Sequence, residues 1–255
     1  MSELKGTQAK DLMVDIISVT SKTTVLESID VMLEKKSKGI LVVDGGSISG
    51  IVTDFDFIRI LREGKVPTKE DKISDIMTRE VVFTHSNDSL THIASLMFEH
   101  NIRFLPVVAQ KKPIGIITRR EIGRIFAAHY GQRYKARDLM TSRYSTFHTK
   151  DSIERFFRKV REYSDKYSIV LADEKVVGVV TPTNILRHLR LRSTIDKNTS
   201  IEELMTPEPY VVGPDERADV IANMMISRDF SGVPIVDDRL EGIIRYSCFL
   251  QFLGI

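Results

Sequence analysis

The feature that most constrains this 255-residue chain is that it repeats itself. Asp11-Leu12-Met13 returns as Asp75-Ile76-Met77, Asp138-Leu139-Met140 and Glu203-Leu204-Met205, at intervals of 64, 63 and 65 residues. A second landmark, Gly50-Ile51-Val52-Thr53, returns as Gly115-Ile116-Ile117-Thr118, Gly178-Val179-Val180-Thr181 and Gly242-Ile243-Ile244-Arg245, at intervals of 65, 63 and 64. Two landmarks with one period mean four copies of one unit. The period exceeds that of most solenoid repeats, so each copy suits half of a packed domain.

Each copy follows one grammar. The acidic-apolar-Met turn leads to a short extended segment, such as 16–19 or 81–83. A helix follows, with apolar residues at helical spacing: Val25, Ile29, Met32 and Leu33; Leu90, Ile93, Leu96 and Met97; Ile153, Phe156, Phe157 and Val160; Val220, Ile221, Met224 and Met225. Two strands come next, 40–43 and 48–53 in the first copy, joined by Asp44-Gly45-Gly46-Ser47. A second helix closes the copy, as at 122–128 or 184–191. The expected class is α/β (α+β), with the order β-α-β-β-α used four times. One copy cannot cover both faces of its small sheet, so copies should pair. The expected repeats are 8–66 and 72–131, forming a first module 1–131, and 135–192 and 199–255, forming a second module 132–255. The polar, Gly-containing stretch Ala128-His129-Tyr130-Gly131-Gln132-Arg133-Tyr134 marks the boundary between them.

Composition narrows the function classes. With 42% hydrophobic and 28% charged residues the chain is expected to be globular. The formal net charge of +2 argues against a chain-wide nucleic-acid surface, although 155–161 and 187–192 are locally basic. One cysteine, Cys248, excludes an intrachain disulfide and a multi-cysteine metal site. The six histidines lack ligand spacing, so no metal is expected. No leader of signal-peptide length and no run of 18 apolar residues is read, which points to a cytoplasmic protein without membrane contact. No P-loop, nucleophile elbow or paired-carboxylate arrangement is found, so no catalytic residue and no cofactor are assigned and the chain is read as non-enzymatic.

The strand-to-helix corner carries the candidate chemistry. In Thr53-Asp54-Phe55-Asp56 the threonine can cap the helix while the acid three residues on caps back. Thr118-Arg119-Arg120-Glu121 fits the same rule, and Thr181-Pro182-Thr183-Asn184 sets proline at the first helical position. The same geometry suits a ligand. A helix start offers free N–H groups and partial positive charge, and a carboxylate one turn in can accept two hydrogen bonds from a sugar diol. From spacing alone both readings stand.

Taken together, the four β-α-β-β-α copies, the apolar-Met-Thr openings (Ile76-Met77-Thr78, Leu139-Met140-Thr141, Leu204-Met205-Thr206) and the Gly-x-x-Thr-x-x-Asp close resemble cystathionine β-synthase (CBS) domains. Leu105-Pro106-Val107-Val108 and Val233-Pro234-Ile235-Val236 match that family's usual second strand; Leu41 and Ile169 stand where the first and third copies lack its proline. The resemblance implies two pseudo-twofold modules and adenosine ligands held between paired repeats, the Thr and Asp on the ribose. Carried over, Thr53 and Asp56 form the intact pair, Thr118 and Glu121 a lengthened one, and Thr181 and Asn184 an uncharged one. Arg245 and Cys248 replace both members in the fourth repeat, which is read as broken or inverted in preference. The resemblance also places phosphate contacts just before the second strand, at Lys38, Arg103 and Lys166, and Arg119 and Arg120 sit beside Thr118. Several cations favour AMP or ADP over S-adenosylmethionine, with ATP accommodated. The expectation is a regulatory, energy-sensing protein that acts through an unidentified protein partner or as a homodimer, with no catalytic domain fused. The alternatives are a ligand-free scaffold and a nucleic-acid-binding regulator.

Overall fold

The computed structural model describes residues 6–162 and 167–252. The first repeat contains α1 (Ala9–Leu12), β1 (Ser18–Val19), α2 (Val25–Glu34), β2 (Gly39–Asp44), β3 (Ser47–Thr53) and α3 (Asp54–Arg62). The second has a 3-10 turn (Ile73–Asp75), then β4 (Thr84–His85), α4 (Leu90–Glu99), β5 (Phe104–Ala109), β6 (Lys112–Thr118) and α5 (Arg119–His129). The third has α6 (Ala136–Leu139), β7 (Thr146–His148), α7 (Ile153–Glu162), β8 (Ser168–Ala172), β9 (Lys175–Val180) and α8 (Pro182–Arg192). The fourth has α9 (Ile201–Leu204), β10 (Thr206–Pro207), α10 (Ala218–Arg228), β11 (Gly232–Val236), β12 (Leu240–Arg245) and α11 (Ser247–Leu250). The mixed α/β class and the repeated order are those the sequence predicts.

In three repeats the first strand runs parallel to the second, which pairs antiparallel with the third. The hairpin register slips at one equivalent place in all four repeats, after Val42, Val107, Val170 and Ile235. The tight turns need left-handed backbone; Gly45 and Gly46 supply it at φ 57° and 81°, whereas Gln110 and Lys111 adopt it at 50° and 64°. Two expectations shift. The strand placed at 81–83 forms at Thr84–His85, where buried Thr84 bonds the Asp88 carboxylate at 2.7 Å. In the fourth repeat the first strand shrinks to a parallel bridge between Val212 and Ile235.

The helical faces follow the apolar spacing. Val25, Ile29 and Met32 are buried, as are Ile153, Phe156, Phe157 and Val160. In α10, Val220 is 41% exposed and the core face is instead Ala218, Ile221, Ala222 and Met225.

The chain divides into two compact units that do not coincide with 1–131 and 132–255. An odd unit spans Ile17–Glu80 and Arg143–Tyr210, holding the sheets of repeats one and three. An even unit gathers the described parts of Met1–Ile16, Val81–Ser142 and Val211–Ile255, holding the sheets of repeats two and four. In the odd unit one apolar core runs through α2, α3, α7 and α8, and Arg190 clasps Asp30 through two bonds of 2.6 and 2.7 Å. In the even unit α5 packs against α10 and α11, and Phe126 stacks on Phe249 with ring centroids 4.6 Å apart. The boundary stretch is no loose linker there: Tyr130 and Tyr134 stack on Phe126, and Gly131 is buried against the Asp219 backbone. Its aromatic residues outweigh its polar ones.

Within these units the opening of each repeat lies on another repeat's sheet. In the odd unit Ile51 and Thr78 exchange two backbone bonds of 2.9 Å, and Thr206 pairs with Val179. In the even unit Val14 bonds Ile116, and Thr141 bonds Ile243. The two sequence landmarks therefore meet: a Cβ on Gly50 would stand 2.7 Å from the Met77 sulfur, one on Gly115 2.6 Å from that of Met13, and one on Gly242 3.0 Å from that of Met140. Gly178 meets Met205 in the same way. Only glycine lets each methionine approach so closely.

Candidate functional site

The four corners are built alike. Each last strand ends in extended backbone and the next helix starts at once. At the first corner the Thr53 N–H and hydroxyl donate to Asp56 Oδ2 at 2.8 and 2.9 Å. Asp56 Oδ1 faces Arg59 Nη2 at 3.4 Å, and that guanidinium also donates to the Ile76 carbonyl at 2.8 Å. At the second corner the Thr118 N–H and hydroxyl donate to Glu121 Oε2, the former at 3.0 Å, and Arg124 reaches Oε1 at 3.2 Å. Thr118 Oγ1 also accepts from the Arg120 N–H at 3.2 Å. At the third, Thr181 donates twice to Asn184 Oδ1, at 2.9 and 2.6 Å, and the Asn184 amide donates to Thr206 Oγ1 at 3.0 Å. In every case the acid or amide of the i+3 residue satisfies the cap, and its second polar atom is turned elsewhere.

The fourth corner keeps the geometry with other chemistry. The Arg245 N–H donates to Cys248 Sγ at 3.5 Å, so a weakly accepting sulfur stands where the first two corners have a carboxylate and the third an amide. Burial pushes the Cys248 thiol above its ordinary value, although the Arg245 N–H bond and the charges of Arg245 and Arg119 pull it down. Burial outweighs the helix start, and the thiol stays protonated at neutral pH.

The expected cations are distributed unevenly. Lys38 and the pairs Thr53/Asp56 and Thr181/Asn184 belong to the odd unit; Arg103, Arg119, Arg120, Thr118 and Glu121 belong to the even unit. Lys38 is half-buried, and its carbonyl accepts from the Asp54 N–H at 3.1 Å. Lys166 lies outside the described residues. Arg103 lays its guanidinium 5.5 Å from the Phe104 ring centroid. Arg119 Nη2 donates to Asn101 Oδ1 at 3.0 Å and to the Met97 carbonyl at 3.4 Å. Burial, and then the charges of Arg103 and Arg245, push the Arg119 pKa down to about 10. Arg120 turns away from Thr118: its guanidinium donates to Asp229 Oδ1 at 3.1 Å and to the Ile226 carbonyl at 2.7 Å. Sequence reasoning missed Arg59 and Arg124 as partners of the corner acids, although both lie three residues beyond the acid, one helical turn away. Among the described residues no group of three or more His, Cys, Asp or Glu could hold a metal, and no helix is long and apolar enough to cross a membrane.

Comparison with known proteins agrees with this architecture. The family model for the CBS domain matches residues 9–63, 73–127, 136–191 and 201–254. Protein MJ1225 of Methanocaldococcus jannaschii is 20% identical over 267 residues, covering 94% of this chain and 95% of that protein. Its crystal structure superposes with a TM-score of 0.87 at 18% identity, covering 97% of this chain and all of that one. A conserved protein from Pyrococcus horikoshii gives a TM-score of 0.67 at 22% identity, again over 97% of this chain. L-aspartate semialdehyde sulfurtransferase of M. jannaschii is 30% identical over 112 residues, but that match spans 43% of this chain and only 21% of the enzyme.

Proposed function

The chain belongs to the CBS domain family, and from that premise we propose that it is a regulatory protein whose Thr-x-x-acid corners receive the ribose of adenine nucleotides. The observation that carries this reading is the division of labour in Asp56. One carboxylate oxygen serves the helix cap, and among the described residues the other is held only by a 3.4 Å contact with Arg59. A diol that offers two O–H donors can compete for that second oxygen, and the Thr53 hydroxyl lies beside it. The cations near Thr118 favour a phosphorylated ligand, AMP or ADP before S-adenosylmethionine, with ATP also accommodated. The exchanged openings, Met13 on Gly115 and Met77 on Gly50, support reading the first two repeats as one pair. Output follows by linkage: a nucleotide that favours one arrangement of the repeats changes what a protein partner, or a second copy of the chain, can bind.

A second reading, a ligand-free scaffold, draws on the same bonds, since each cap is complete without a ligand. A thermal-shift screen of adenosine, AMP, ADP, ATP and S-adenosylmethionine separates the two. A ligand at a hundred times its dissociation constant stabilises the fold by about 2.7 kcal/mol. In a chain of this size that moves the melting midpoint by several degrees. A shift with AMP that Asp56→Ala removes supports the sensor, and no shift with any adenosine compound supports the scaffold.

A further inference from the structure

The odd unit holds two corners of one plan that distribute their hydrogen bonds differently. In both, the following repeat's opening crosses the last strand two residues before the corner threonine: Thr78 bridges Ile51, and Thr206 pairs with Val179. At the first corner Asp56 Oδ2 takes both Thr53 donors, and Oδ1 stays an acceptor facing Arg59 at 3.4 Å. At the third corner Asn184 Oδ1 accepts from the Thr181 N–H and hydroxyl, at 2.9 and 2.6 Å, which uses both of its lone pairs. The Thr181 N–H can only donate, so the oxygen must face it and the amide nitrogen is aimed the other way. That nitrogen donates to Thr206 Oγ1 at 3.0 Å, which carries the corner of repeat three into the opening of repeat four. Arg187 follows Thr181 by six residues, as Arg59 follows Thr53 and Arg124 follows Thr118. Arg59 and Arg124 reach their acids, whereas Arg187, beside an uncharged amide, forms no hydrogen bond or ion pair among the described residues. Thr206 has taken the arginine's place. A sugar diol offers two O–H donors; Asp56 keeps an oxygen for them and Asn184 has none to spare.

We propose that Thr206 locks the third corner. Thr181, Asn184 and Thr206 form a standing tie between repeats three and four, and this corner takes no ribose. Thr206 is a positioning residue that acts through the Asn184 amide. Of the odd unit's two corners the first is then the adenosine site; that part rests on the reading above, and the tie does not.

Melting without ligand tests the tie by a cycle of Thr206→Val, Asn184→Ala and the double variant. Thr206→Val should lower the midpoint by about 2 °C more in the wild-type background than in the Asn184→Ala background. Thr206→Ser, which keeps the hydroxyl, should retain that difference. An equal effect of Thr206→Val in both backgrounds, or a Thr206→Ser variant that behaves as Thr206→Val does, overturns the tie. Calorimetric titration with AMP then counts sites in the full chain. Asn184→Asp supplies the missing acceptor beside Arg187 and should bind one AMP more than wild type. A wild-type chain that binds as many as Asn184→Asp overturns the closed corner. Failure of the nucleotide reading shows separately, as no adenosine compound titrating into the wild-type chain, and the melting cycle still decides the tie.

Discussion

The first and fourth corners use the same backbone for different chemistry. At the first, Thr53 and Asp56 are joined by two short bonds to a charged acceptor; at the fourth, Arg245 reaches Cys248 by one long bond to sulfur. The chain path is kept by features outside the corner, namely the slipped hairpin register and the methionine seated on glycine. The scaffold therefore tolerates replacement of both corner residues. The difference also shows that a capping pair is not required at every corner, which leaves room for ligand duty in the three that keep it.

The widest separation between these corners should appear with ligand. In saturating AMP, Asp56→Ala should forfeit about 2.7 kcal/mol of ligand stabilisation, read as the lost melting shift, whereas Cys248→Ala should retain it. Equal loss in both would erase the distinction. Next comes the scaffold. Gly50→Ala drives a Cβ to 2.7 Å from the Met77 sulfur and 3.0 Å from the Thr78 carbonyl, and should cost about 2 kcal/mol in denaturant unfolding. Gly242→Ala first meets the Met140 side chain, at 3.0 Å and beyond, and should cost less than about 1 kcal/mol. Without ligand, loss of the Asp56 cap should cost about 1 kcal/mol, and Cys248→Ala only a few tenths. The smallest effect is a pH response. Because the folded chain raises the Cys248 pKa, it holds that proton more tightly than the unfolded chain does. Stability should be intact at neutral pH and fall as pH rises through the ordinary thiol range and beyond. The slope can be no steeper than one proton's, about 1.4 kcal/mol per pH unit, and Cys248→Ala should remove that part of the alkaline decline.

Much of this was legible in one dimension. Periodicity found all four repeats, the helix faces and the corner pairs, because each depends on residues a turn or a strand apart. Contacts between distant segments left no such trace. The Met and Gly landmarks were each visible, yet nothing local told that Met13 sits on Gly115 or Met77 on Gly50. Arg120 was read with its neighbour Thr118, but its guanidinium is taken by Asp229 and Ile226, more than a hundred residues away in sequence. The stretch 128–134 reads as polar and Gly-containing, yet Tyr130 and Tyr134 in it stack on Phe126. Val220 misled in the opposite sense: on α10 the small residues Ala218 and Ala222 carry the packing, so the bulky one faces outward.

The exchanged openings bear on how such a chain can be lengthened or trimmed. A single copy cut out along its sequence period carries a leading peg shaped for someone else's socket and leaves its own socket bare. An odd number of copies would leave one methionine without a seat and one glycine exposed. The pegs join repeats one with two and three with four, whereas the apolar cores join one with three and two with four, so no doublet cut from the chain keeps both kinds of contact.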